Sequence, residues 1–163
     1  MTDRLGRPSD PIWVESRRTC WVYSPGGHLA ELRRATEGIL FTNCYHVTYA
    51  SDRAPDPNAT RTWLICHPRR SVRRTLVNAV QSLLILLRER PEVVLSTGAD
   101  VAAASLILGK LLGARILFIE TGGTLTPSLT GRLVYPFADL FMVQWPEKLA
   151  AFPRAALSRG PLL

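Results

Sequence analysis

The chain has 163 residues, 47% of them hydrophobic and 20% charged, which is enough for one core and too few for two comfortable domains. Twelve prolines and eleven glycines are too scattered for a collagenous or low-complexity polymer, and the apolar fraction excludes a disordered chain. The net charge of +7 is concentrated between residues 53 and 90, where eight arginines (53, 61, 69, 70, 73, 74, 88 and 90) stand against only Asp56 and Glu89. Such a patch suits nucleic acid, an anionic membrane surface or a phosphorylated substrate, and charge alone does not choose.

Residues 1–18 are polar, rich in Arg, Pro and Asp, and lack the apolar core of a secretory signal, so a flexible, cytoplasmic start is expected. Residues 19–24 are a short β-rich run ended by Pro25-Gly26-Gly27, and residues 28–38 carry Leu29, Leu32 and Ala35 or Thr36 at helical spacing. Strands are predicted over 44–49 and 62–66, with a polar, Pro-containing loop between them. A long helix is predicted over 72–89, stopped by Pro91. A strand at 93–97 precedes a small-residue helix from Gly98 to Leu112, followed by strands at 115–120 and 140–144 and a short helix opened by Pro146. No run approaches the roughly 18 apolar residues that a membrane span requires. Cys20, Cys44 and Cys66 form no C-x-x-C pair, which points to free thiols in a reducing compartment. Neither they nor His46 and His67 form a metal-ligating pattern, and no cofactor is called for.

Alternating strands and helices, with several strands apolar throughout, predict an α/β fold with a mainly parallel sheet buried on both faces. Open sheets of this kind bind ligands beyond the carboxyl ends of their strands, which directs attention to residues 24–28, 96–100, 120–124 and 144–147. The turn at Gly26, Gly27 and His28 allows close backbone approach and presents unpaired N–H groups at a helix start, although it is neither a dinucleotide fingerprint nor a P-loop. His28 there is a neutral base or a capping residue. Glu31, one turn on, either orients His28 or a sugar hydroxyl or complements the helix dipole. Thr97 and Gly98 at a strand end meet a ligand or cap a helix. Glu120 ends an apolar strand, where a carboxylate is buried or faces the crevice. Gln144, followed by Trp145 and Pro146, ends another strand as a site residue or as packing.

The Gly26-Gly27-His28-Leu29-Ala30-Glu31-Leu32 run, the Ser96-Thr97-Gly98-Ala99 run and, above all, the block from Pro127 to Glu147 (PSLTGRLVYPFADLFMVQWPE) resemble one family. It is the membrane-side subunit of the two-part UDP-N-acetylglucosamine transferase of lipid-linked oligosaccharide synthesis, with bacterial counterparts in exopolysaccharide and capsule synthesis. The Gly-Gly-His motif is also similar to one in the peptidoglycan lipid-linked N-acetylglucosaminyltransferase. The resemblance runs from about Cys20 onward and implies a single Rossmann-like lobe over residues 19–163, equivalent to the N-terminal half of a glycosyltransferase of the two-lobe (GT-B) kind. It implies His28 as the base with Glu120 in reserve, and Gly26, Gly27, Glu31, Thr97, Gly98 and Gln144 on the acceptor side. It also implies a separate donor-binding chain and a polyprenyl-diphosphate-linked glycan acceptor. Where many relatives have an aromatic residue and an arginine after the Glu120 position, this chain reads Thr121-Gly122-Gly123-Thr124.

The 72–89 segment carries an apolar face wider than one sheet contact needs, including Leu76, Leu83 and Leu87, and it follows Arg69, Arg70, Arg73 and Arg74. A core helix with a solvated basic start and an interfacial membrane helix both account for that pattern, and a lipid-linked acceptor favours the second. The leading expectation is therefore a glycosyltransferase subunit, inactive without its partner and peripheral on the inner face of the membrane. The alternative is a non-catalytic anchor and activator that recruits the catalytic chain. Nucleic acid is not expected as a partner, because no recognised binding module accompanies the arginines.

Overall fold

The computed structural model describes residues 13–52, 59–160 and 162; the rest of the expected flexible start, and Arg53 and Asp56 of the basic segment, lie outside the described residues. Strands β1 (Trp13–Glu15), β2 (Thr19–Val22), β3 (Ile39–Phe41), β4 (Cys44–Thr48), β5 (Thr62–Leu64), β6 (Val93–Ser96), β7 (Arg115–Ile119), β8 (Leu140–Val143) and β9 (Ala156–Leu157) alternate with helices α1 (Gly27–Ala35), α2 (Val72–Glu89), α3 (Ala103–Leu111) and α4 (Leu129–Val134). Seven strands form one sheet in the order β5-β4-β2-β6-β7-β8-β9, with every neighbouring pair parallel. The fold is thus α/β with a parallel sheet, as expected.

The two faces of the sheet follow from side-chain alternation along each strand. Cys20, Val22, Val94, Ile116, Phe118, Phe141 and Val143 pack with Ile85 and Leu86 of α2, Leu106 of α3 and Val134 of α4. Trp21, Tyr23, Leu95 and Ile119, between them in sequence, face Leu32 of α1. β2 and β6 are buried along their whole length, which explains their unbroken runs of non-charged residues. The chain steps from β2 outward to β4 and β5, returns through α2 to β6 and then steps the other way. The strand order therefore reverses between β2 and β6, opening a crevice at their carboxyl ends.

Several elements depart from the sequence expectation. Trp13–Glu15, within the segment expected to be flexible, pairs in parallel with Ile39–Phe41 as a separate two-stranded ribbon. α3 begins at Ala103 rather than Gly98, because Gly98 (φ 114°) and Ala99 (φ 76°) both occupy the left-handed half of backbone space, which a helix cannot use. The 62–66 strand is shortened to three residues, and Cys20, Cys44 and Cys66 form no disulfide with one another.

α2 spans the expected residues, but its faces are distributed unexpectedly. Its buried residues are Asn78, Ser82, Ile85, Leu86 and Glu89, three of them polar. Asn78 Nδ2 donates to Cys66 O at 2.8 Å, Ser82 meets Ser105 at 2.9 Å, and Glu89 accepts from Arg61 at 2.9 Å, Trp63 Nε1 at 3.0 Å and Arg18. The apolar stripe points outward, with Leu76 63% and Leu84 62% exposed beside Val72, Val80 and Leu87. Leu83, expected on the outer face with Leu76 and Leu87, is instead half-buried, one position off the stripe.

Candidate functional site

The loop from β2 into α1 and the loop after β6 meet at the reversal point. Gly26 adopts φ 110° at the cap of α1, a conformation natural only to glycine, and Gly27 has open space where a side chain would stand. His28 then lies over Gly98, where an added Cβ would meet its Cε1 at 3.4 Å. His28 Nδ1 is 3.1 Å from Thr97 O, and Thr97 Oγ1 donates to His28 O at 2.7 Å, so two distant loops are cross-tied at one residue pair. A carbonyl only accepts, so the proton of the neutral ring belongs on Nδ1 and the lone pair on Nε2. Among the described residues none engages Nε2, and the half-buried ring keeps about a quarter of its side-chain surface open.

Glu31 sits beneath the ring with 1% exposure. Its Oε2 lies 3.6 Å from His28 Nδ1, while Oε1 accepts from Gly122 N–H at 2.7 Å, Thr121 Oγ1 at 3.1 Å and Gln144 Nε2 at 3.2 Å. Burial pushes this carboxyl up, but the His28 ring beside it and the hydrogen bonds from Gly122 and Gln144 outweigh it and hold it below its ordinary value. It is thus an anion placed against the Nδ1 side of the imidazole. An imidazole with a carboxylate behind it and a free lone pair in front is arranged to accept a proton and tolerate the resulting charge.

The expected site residues divide accordingly. Gly26, Gly27, His28 and Gly98 come together at the crevice. Thr97 joins them, but its hydroxyl and carbonyl are committed to His28 and its side chain is fully buried. Glu31 and Gln144 are buried behind the ring and do not face a substrate. Glu120, expected as a reserve base, is wholly enclosed: it accepts from Ser128 N–H at 2.6 Å, Ser128 Oγ at 2.9 Å and Lys148 Nζ at 3.2 Å. Its carboxylate braces the start of α4, where Ser128 Oγ in turn accepts from Gly131 N–H at 2.8 Å. A Cβ at Gly131 would run into Glu120 Oε2, which accounts for glycine inside that helix. Lys148, which sequence reasoning passed over, is fully buried, pairs with Glu120 and also donates to Thr121 O at 2.6 Å. A lysine in a short polar helix carries no signal for such burial. Asp100 and His67 also face each other near the crevice, with His67 Nε2 3.7 Å from Asp100 Oδ1.

Known proteins similar to this chain fall into a consistent group. "UDP-N-acetylglucosamine transferase subunit ALG14" of Eremothecium gossypii is 34% identical over 98 residues, covering 52% of this chain and 44% of its own. The rat protein of the same name is 29% identical over 137 residues, covering 78% and 59%. The pyrophosphoryl-undecaprenol N-acetylglucosamine transferase of Treponema pallidum is 37% identical over 82 residues, covering 50% of this chain and 21% of its own. The chain thus spans between 21% and 59% of these relatives' length. Among solved structures, UDP-N-acetylglucosamine 2-epimerase from Rickettsia bellii superposes with a TM-score of 0.67 at 13% identity, covering 91% of this chain and 46% of its own. MurG from Acinetobacter baumannii gives 0.59 at 14% identity, covering 86% and 44%. These likenesses place the fold among such lobes. The family described as "Oligosaccharide biosynthesis protein Alg14 like" matches residues 67–160, more than half of the chain and the whole 127–147 block; the chain belongs to this Alg14-like family.

Proposed function

We propose that this chain is the acceptor-side subunit of a two-component glycosyltransferase. Residues from 19 onward form the acceptor-binding lobe, and a separate chain supplies the lobe that binds the nucleotide diphosphate sugar, with UDP-N-acetylglucosamine as the donor indicated by the relatives' names. The acceptor is a polyprenyl-diphosphate-linked glycan, met at the inner face of the membrane. The observation that carries this reading is His28 at the reversal point of the sheet, held by Thr97 O with its Nε2 unengaged and Glu31 behind it.

In that arrangement the acceptor hydroxyl gives its proton to His28 Nε2 as its oxygen attacks the anomeric carbon of the donor sugar. The bond from that carbon to the nucleotide diphosphate breaks, and the leaving diphosphate carries away the electron pair. Glu31 stabilises the imidazolium formed in the step. The unpaired N–H groups at the start of α1 add partial positive charge on the crevice side. The exposed apolar stripe of α2, preceded by exposed Arg69, Arg70, Arg73 and Arg74, supports peripheral attachment to an anionic membrane, where the acceptor lies. Among the described residues no helix is long and apolar enough to cross a membrane.

The test is transfer from UDP-N-acetylglucosamine to a polyprenyl-diphosphate-linked sugar. The chain alone is expected to be inactive and to gain activity with its donor-lobe partner. His28→Ala in that pair is expected to lower turnover by roughly 10²-fold or more with folding intact. A loss below about threefold would make His28 a turn residue and leave the chain as an anchor and activator.

A further inference from the structure

We propose that Gln144 and the backbone N–H of Leu162 are positioning residues for His28, acting through Glu31; the inference rests on the reading of His28 as the base. Helical spacing pairs residues 28 and 31, nothing in the sequence ties them to 144 and 162, and yet a continuous line of contacts joins all four. Leu162 N–H donates to Gln144 Oε1 at 2.7 Å, Gln144 Nε2 donates to Glu31 Oε1 at 3.2 Å, and Glu31 Oε2 stands 3.6 Å from His28 Nδ1.

Each link has one chemically sensible orientation. The amide of Gln144 is nearly fully buried, and its Nε2 faces two acceptors, Glu31 Oε1 and Glu120 O at 3.0 Å. Its Oε1 faces the one donor supplied by Leu162. Leu162 is itself seated twice more: Arg34 Nη1 donates to its carbonyl at 3.3 Å, and its side chain packs on the cluster containing Leu32 and Ile119. With Oε1 of Glu31 tied by Gly122, Thr121 and Gln144, its Oε2 is left buried without a conventional hydrogen bond and turned toward the imidazole. An orphaned buried carboxylate oxygen is costly, so it acts as a second acceptor drawing the ring proton to Nδ1. That keeps the lone pair on Nε2, on the side open to the crevice.

The same strut explains the Gly-Gly turn after Glu120. A Cβ at Gly122 would meet Gln144 Oε1 at 2.5 Å, so any other residue there displaces the amide. The consequence is that the seating of Leu162 is read out at His28.

The test combines ring-nitrogen NMR of the full chain with turnover in the reconstituted pair. Leu162→Pro removes the N–H donor; Leu162→Ala keeps it and removes only packing; Gln144→Met removes the amide. The neutral ring of His28 is expected to be predominantly Nδ1-protonated in the parent and in Leu162→Ala. It is expected to gain a substantial Nε2-protonated population in Leu162→Pro and Gln144→Met, with kcat lower by roughly tenfold and donor KM unchanged. Unchanged tautomer populations in both variants overturn the inference whatever turnover does, and folding is checked by the amide spectrum. Shifted populations with undiminished turnover would confirm the strut and instead remove His28 from the chemistry, which separates the two failures.

Discussion

Glu120 shows how a carboxylate at a strand end becomes structural. Its oxygens are used by Ser128 and Lys148, and neither it nor Lys148 is exposed at all. Removing one partner of such a pair leaves an uncompensated buried charge. Lys148→Met is therefore expected to cost about 3–5 kcal/mol, read as a fall in Tm of roughly 10 °C. The pair Lys148→Met with Glu120→Gln should recover part of the loss, because both charges go together; equal or greater destabilisation in the double variant would show that the pair is not the source. The placement of Gly26, Gly27 and His28 at a strand-to-helix turn was legible in the sequence, since the glycines end a β-rich run and apolar residues at helical spacing follow. The burial of Glu31 was not, because its partners Thr121 and Gly122 lie 90 and 91 positions away; for Glu120 and Gln144 the sequence offered burial and the crevice side by side, and a strand end alone does not choose between them.

The helix α2 buries Asn78, Ser82 and Glu89 beside Ile85 and Leu86 and exposes Leu76, Leu84 and Leu87, whereas an ordinary surface helix keeps its apolar stripe on the core. α3 and α4, which pack next in line, also expose Leu111, Leu112, Leu129 and Leu133. Exposed apolar surface of this extent beside arginines is what the proposed peripheral attachment requires, each arginine then adding on the order of 1 kcal/mol of attraction to anionic lipid. Binding to anionic vesicles is expected, falling with salt and falling further when Arg69, Arg70, Arg73 and Arg74 are changed to Glu. Leu84→Glu should weaken binding without loss of stability, whereas Leu83→Glu, at a half-buried position, should destabilise the fold. Vesicle binding insensitive to both the charge reversal and Leu84→Glu would assign attachment elsewhere. The end of α2 was readable because Pro91 stops it, one residue after Arg90, which the structure shows left-handed at φ 45°. α4 and the short strands β1, β3 and β9 escaped notice: at two to six residues they show no full period, and tertiary partners make them.

At the scale of the whole molecule, three carboxylates, Glu31 and Glu89 buried and Asp139 exposed, fasten segments that the chain order keeps apart. Glu31 joins α1 to the turns after β7 and β8, Glu89 joins the end of α2 to Arg18 and to Arg61 and Trp63 of the β5 region, and Asp139 joins the start of β8 to Lys110 at 2.5 Å and Ile116 N–H at 2.8 Å. In each, burial pushes the carboxyl up, and the hydrogen-bond donors (Gly122 and Gln144; Arg61, Arg18 and Trp63; Lys110 and Ile116 N–H), with the nearby His28 ring and the Arg115 charge, outweigh it, leaving all three below their ordinary values. A group whose folded value is depressed contributes stability above its unfolded value and loses it as pH falls through the folded one. The unfolded values are near 4.5 for the glutamates and 3.8 for Asp139. The urea midpoint of the chain is therefore expected to change little between about pH 7 and pH 5 and to fall steeply below that. Glu89→Gln should lower the midpoint at neutral pH, because Arg18 and Arg61 lose their anion, and should make the acid decline shallower. An acid decline of unchanged steepness in Glu89→Gln would show that the fastening at the end of α2 does not govern acid stability.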